Sequence, residues 1–236
     1  MEKFPVSIHA AVTPNPNTIK FVADKMLMDP PESSADFRSR EEAVGYSPLA
    51  VAIFDKFDFV RGVYISHNFV SITKDNAEMA WDYLQVEVRN FLWDFITDGK
   101  PLIVKLPAER PFPTESVRIP EYAPSPFDDK IKKLMKQFVN NPVMSDGGEI
   151  IFRNFKDGIV TVLLKGACVN CPARNKTLKQ GIEDILNKHI PEVKEVVSEN
   201  DLLGDENQEF DESMAKGKSR FSDGLDFSAF DNLPGI

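Results

Sequence analysis

The stretch Leu163-Leu-Lys-Gly-Ala-Cys-Val-Asn-Cys-Pro-Ala-Arg-Asn-Lys-Thr-Leu-Lys-Gln-Gly-Ile182 decides the reading of this chain. It holds Cys168 and Cys171, the 2 cysteines of a 236-residue sequence. The apolar run from Ile159 to Leu164 ends just before them and predicts a strand. Leu178, Ile182, Ile185 and Leu186 recur at three- and four-residue steps just after them and predict a helix. Pro172 suits the first helical position, where its missing N–H costs nothing. Both thiols are therefore expected on an exposed strand-to-helix loop, at the positive end of a helix dipole.

Unpaired N–H groups and partial positive charge at such an end lower a thiol pKa and stabilise anions. Lys165, Arg174, Lys176 and Lys179 add charge of the same sign, and Gly166 leaves room where a bulky ligand would sit. Two cysteines at this spacing can place both sulfurs on one metal. Zinc and iron–sulfur clusters usually take about four protein ligands in structural sites. No third cysteine exists, and His9, His67 and His189 are not at finger-like spacing from the pair. A stable metal centre would need two sulfurs from each of two chains. Three other readings stay open at this level: a buried structural pair, thiol–disulfide exchange as in thioredoxin-like proteins, and a zinc site shared by a dimer. Against exchange, no tryptophan precedes Cys168, and the flanking strands read as a hairpin rather than a parallel βαβ unit.

Gly166-Ala-Cys-Val-Asn-Cys-Pro172, Thr177-Leu-Lys-Gln-Gly-Ile182, Ile190-Pro-Glu-Val193 and, upstream, Ser145-Asp-Gly-Gly-Glu149 together resemble the C-terminal domain of NifU, the Nfu domain, over about Phe127 to Val197. The resemblance implies an iron–sulfur scaffold or carrier rather than an enzyme. It implies a homodimer formed on cluster binding, with Cys168 and Cys171 of each subunit as ligands. The cluster implied is [4Fe–4S], a type that the spacing itself does not set. Upstream cluster donors and apo-protein clients are the implied partners. Thr13-Pro-Asn-Pro-Asn-Thr-Ile-Lys-Phe21, Ser47-Pro-Leu-Ala50, Gly62-Val63 and Val70-Ser-Ile-Thr-Lys74 resemble the Nfu N-terminal domain over roughly Val6 to Gly99.

The net charge of −9 argues against a general nucleic-acid binder. No apolar run approaches the roughly 20 residues of a membrane span. The start Met-Glu-Lys-Phe-Pro-Val-Ser has neither a signal-peptide core nor an Arg- and Ser-rich amphipathic segment. Two cysteines do not make a disulfide framework, so a reducing, cytoplasmic setting is the simplest expectation. There is no Ser/His/Asp set and no supported pair of acid–base carboxylates. Gly147-Gly148 lacks the lysine and helix of a phosphate loop. Asp146-Gly-Gly-Glu149 reads as a tight turn into a strand rather than a carboxylate cluster.

The fold class expected is α+β, in two small domains. In the first, Pro5–Val12 and Thr18–Val22 read as strands around the turn Thr13-Pro-Asn-Pro-Asn17, whose residues are turn formers. Asp29–Ser34 reads as a loop, Ser47-Pro48 as a helix start, Gly62 as a break, and Val63–Ser66 with Phe69–Thr73 as a hairpin. Glu78–Ile96 reads as a helix capped by Gly99. Prolines at 101, 107, 111, 113, 120, 124 and 126 predict a semi-rigid linker.

The second domain reads helix, strand, strand, helix, strand, with helices on one face of a small mixed sheet. Its first helix, Phe127–Val139, is stopped by Asn141-Pro142. Glu149–Lys156 and Ile159–Lys165 join through Asp157-Gly158, a strong hairpin signal, and Val193–Val197 is the last strand. From Ser198 the chain turns acidic and is expected to be disordered in isolation, with Phe221, Leu225, Phe227, Phe230 and Leu233 spaced along it. The division expected is 1–99, linker 100–126, 127–198 and tail 199–236.

Overall fold

The computed structural model describes residues 5–30, 33–75, 80–107, 124–169, 171 and 177–202. Pro172, Arg174, Lys176, linker residues 108–123 and the tail beyond 202, with its bulky residues, lie outside these.

The first sheet is antiparallel throughout. Its strands are β1 (Ile8–Val12), β2 (Thr18–Ala23), β3 (Ser34–Phe37), β4 (Val60–Ser66) and β5 (Phe69–Lys74), in the order β1-β2-β5-β4-β3. Strand side chains alternate between faces, and here the alternation separates two jobs. Ile19, Phe21, Ala35, Phe37, Val63, Ile65, Val70 and Ile72 are buried on one face, against Leu49, Ile53, Val88 and Leu92 from α2 (Pro48–Lys56) and α3 (Trp81–Thr97). Lys20, Ser34, Tyr64 and Ser71 fall on the other face. Helix α2 starts where Ser47-Pro48 predicts, because the Ser47 hydroxyl accepts from the Ala50 N–H and Pro48 occupies the first turn. Gly99 closes α3, with φ 70° and its N–H bonded to the Ile96 carbonyl at 3.1 Å.

One local expectation fails in this half. Gly62 does not break the chain. It lies inside β4 at a bulge between Val60 and Gly62, within ordinary contact distance of Thr73. The expected loop gives way at Ser34 to strand β3, and the short α1 (Arg40–Ala43) follows in a stretch too short to show a period.

The second sheet has the order β6 (Gly148–Lys156), β7 (Ile159–Gly166) and β8 (Glu195–Ser198). It is mixed: β6 and β7 are antiparallel, whereas β7 and β8 are parallel. Asp157 and Gly158 both take positive φ, 55° and 90°, as a two-residue hairpin turn requires. The core joins Ile150, Val160, Val162 and Leu164 to Ile131, Met135, Val143, Ile182 and Leu186 from the helices.

The first helix of this half does not stop at Asn141-Pro142. It runs through α4 (Asp128–Leu134), a π turn (Met135–Val139) and α5 (Asn140–Ser145). The Asn140 N–H bonds back to the Met135 carbonyl, one residue further than in an α-helix. That wide turn makes Pro142 the third residue of a fresh helical segment, where a missing N–H is tolerated.

The β6–β7 hairpin and the mixed sheet are as expected, but the parallel pairing of β7 with β8 supplies the βαβ unit that the sequence reading sets aside. The loop and α6 (Thr177–His189) form a crossover between parallel strands. The tail also begins later than expected. Ser198, Glu199 and Asn200 are buried, in β8 and α7 (Glu199–Leu202). Asn200 Oδ1 accepts from the Leu164 N–H at 3.1 Å, and Glu199 pairs with Arg153 at 3.2 Å. Asn200→Ala is expected to lower the unfolding free energy by about 1–2 kcal/mol, since it strands a buried N–H. An unchanged urea midpoint would restore the boundary at Ser198.

Candidate thiol site and the domain that covers it

Strand β7 ends at Gly166, whose φ of 59° turns the chain out of the sheet. Ala167 donates its N–H to the Gly147 carbonyl at 3.1 Å, and Val169 donates to Gly166 at 3.1 Å, so the start of the loop is fixed by backbone bonds. Cys168 follows at 7% exposure, packed with the second core, and Cys171 is half-buried. Cys168 is thus not the exposed loop residue the sequence suggests. Its sulfur lies over Gly148, where a Cβ would come within 2.5 Å of it. Gly148 pairs with Gly166 across the β6–β7 ladder, so the paired glycines belong to the seat of the cysteine loop.

The backbone of the loop is held from the first domain. Asn15, 1% exposed, donates both Nδ2 protons across the loop, to the carbonyls of Ala167 at 3.0 Å and Val169 at 3.1 Å. Around it the polar face of the first sheet meets the second domain. Lys20 Nζ donates to the Met144 and Ser145 carbonyls at 2.9 and 3.3 Å. Ser71 donates to the Gly147 carbonyl at 2.8 Å. Ser34 and Tyr64 donate to one Glu149 oxygen at 2.6 and 3.2 Å. Burial, then the neighbouring Glu149 carboxylate, hold the Tyr64 hydroxyl well above its ordinary pKa, so it remains a donor. Burial also lowers Lys20, with Asp146 opposing.

The remaining candidates fall elsewhere. Lys165 is not a bare charge beside the thiols: its Nζ lies 3.3 Å from Ser34 Oγ and 3.7 Å from Glu149. His9 is exposed in β1, His67 contacts Ser66 Oγ at 2.8 Å, and His189 stacks on Phe138. Asp146-Gly-Gly-Glu149 is a turn into β6, with Gly147 at φ 83°. Among the described residues no group of three or more His, Cys, Asp or Glu side chains could hold a metal ion. Reading the strands without their pairing misses Asn15, Lys20, Ser34, Tyr64 and Ser71. Period-two alternation in β2, β4 and β5 is the signal that puts the polar ones on a shared face. Asn15 is both things at once: it accepts the Asn17 N–H within its own turn and grips the opposite domain.

Two α+β domains, the second turning a Cys-x-x-Cys loop between a strand and a crossover helix, define a thiol-bearing two-domain protein. Residues 8–99 match the family model for the scaffold protein Nfu/NifU N terminal, and residues 131–197 match that of the NifU-like domain. The chain is 34% identical over 205 residues to a Homo sapiens protein named NFU1 iron-sulfur cluster scaffold homolog, mitochondrial, covering 83% of this chain and 73% of that one. It is 34% identical over 200 residues to NifU-like protein 4, mitochondrial, of Arabidopsis thaliana, covering 82% and 66%. A solution structure of a NifU-like protein from Saccharomyces cerevisiae aligns at 25% identity and a TM-score of 0.38, over 44% of this chain and 88% of that one. The chain belongs to the Nfu/NifU-like family. The names of these two relatives are mitochondrial, which overturns the expectation of a cytoplasmic protein. No described helix is long and apolar enough to cross a membrane.

Proposed function

We propose that this chain is an iron–sulfur cluster scaffold and carrier, with Cys168 and Cys171 of two copies holding the cluster between them. The observation that carries the reading is the pair of thiols on one strand-to-helix loop, with no third metal-ligating neighbour among the described residues. A site of that kind is half a coordination shell. The scaffold names of the relatives support the cargo, and family membership supports the [4Fe–4S] form. Delivery is ligand exchange without redox change. A client thiolate forms one bond to iron as one donor cysteine leaves as thiolate, which takes up the proton released by the client thiol. Repeating the step moves the cluster. A shared shell releases its cargo this way, whereas four ligands from one chain would retain it. The domains divide near residues 99 and 127, leaving the first domain to cover or present the second.

The crossover between β7 and β8 favours one competing reading, thiol–disulfide exchange, since such redox pairs also precede a crossover helix. Anaerobic loading of the full chain with iron and sulfide separates the two. The carrier should turn brown, bind about four irons per pair of chains and become dimeric. A colourless, iron-free monomer that reduces a test disulfide would replace this reading with the redox one.

A further inference from the structure

We infer that the turn Thr13–Asn17 of the first domain is an intramolecular clasp on the cysteine loop, and that it must let go before the loop can share a cluster with a second copy. The inference rests on the cluster reading above. Three observations meet here. Cys168 is 7% exposed, with its sulfur over Gly148. The buried Asn15 amide bridges the carbonyls of Ala167 and Val169, the two neighbours of Cys168. Asn15 is held for that task, because Asn17 N–H donates to its Oδ1 at 3.0 Å and Trp81 Nε1 donates to the Pro16 carbonyl at 3.1 Å. A metal bridging two chains needs the outer side of each sulfur open to the partner loop. In the clasped form the backbone on either side of Cys168 is tied to the chain's own first domain.

The polar bonds of the junction can part. They run from Lys20, Ser34, Tyr64 and Ser71 to backbone carbonyls and one carboxylate, all groups that water satisfies on opening, and the Tyr64 ring packed over Gly166 is the apolar surface that opening uncovers. Residues 102–105 stay with the first domain on parting, since Val104 donates to the Tyr46 carbonyl at 2.8 Å and Leu102 accepts from Ser47 at 2.7 Å. A second copy and the first domain therefore compete for one loop. The TPNPN turn, which reads as a turn and nothing more, becomes the element that sets how fast the loop is offered.

Asn15→Asp tests this in the full-length chain. Aspartate keeps the acceptor for the Asn17 N–H, but sets a carboxylate against two carbonyls in place of two donors. In a Cys171→Ser background the rate of Cys168 alkylation by iodoacetamide is expected to rise at least about tenfold. With both cysteines present, the initial rate of iron uptake is expected to rise with it. Lys20→Ala, which loosens the junction away from the turn, should move both rates the same way by less. Circular dichroism and a thermal melt establish that each variant is folded; if Asn15→Asp is not, Lys20→Ala decides alone. An unchanged alkylation rate in folded variants overturns the clasp, as does slower iron uptake at unchanged alkylation, which would make Asn15 an ordering residue for the loaded loop. Faster alkylation with no iron uptake in any form of the chain upholds the clasp and overturns the cluster reading instead.

Discussion

Replacing either Cys168 or Cys171 by alanine is expected to remove essentially all iron uptake while leaving the fold in place. The reasoning is a count of ligands. One thiolate per chain gives a pair of chains two of the roughly four ligands a cluster takes, so no partial occupancy should survive. The two variants should differ in stability. Cys168 packs with the second core and Cys171 is half-buried. Cys168→Ala therefore empties a small buried volume at a cost of about 1 kcal/mol, and Cys171→Ala costs less. Iron per chain, sedimentation and far-ultraviolet circular dichroism on the same samples check the prediction. Iron retained by either single variant would remove that residue from the shell, and a collapsed spectrum would show the thiol to be structural.

The parts of the fold that were legible in the sequence are those set by neighbouring residues. Asp157-Gly158 announces a turn because two left-handed residues in succession suit few other structures. Ser47-Pro48 announces a helix because a hydroxyl cap and a fixed φ act within one turn. Pro142 misleads for a matching reason. Its local rule is sound, but a π turn upstream resets the hydrogen-bond ladder, and that turn depends on how Met135 and Val139 pack. The mixed sheet was legible, but which strand pairs in parallel with β7 was not, because that partner arrives only after the crossover helix. The site divides the same way. The thiol pair and its place before a helix are local and readable. The burial of Cys168 is not, because it comes from Gly148 and the second core, which the fold brings to it. Polar residues alternating with the core in β2, β4 and β5 could have suggested a second packed face, although strands facing water alternate too.

Gly148 carries the second large effect. Gly148→Ala is expected to cost about 1–3 kcal/mol and to lower iron loading well beyond what that loss of stability explains. A Cβ there would lie 2.5 Å from the Cys168 sulfur, 2.9 Å from the Lys165 carbonyl oxygen and 3.0 Å from the Cys168 nitrogen. Two of these neighbours are backbone atoms, and that backbone is the ladder and the cysteine loop themselves. The added carbon cannot be accommodated by a rotamer change, so the loop must shift and take the sulfur with it. Gly45→Ala is the companion measurement. Gly45 has φ 80° but nothing within 4 Å of an added Cβ, so alanine there strains the backbone without touching the site. The two variants should both lower the melting temperature, and only Gly148→Ala should lower iron per folded chain. Equal loading of Gly148→Ala and the parent at matched folded fraction would mean that the sulfur does not need its seat on β6, and that the loop moves freely enough to bind from another position.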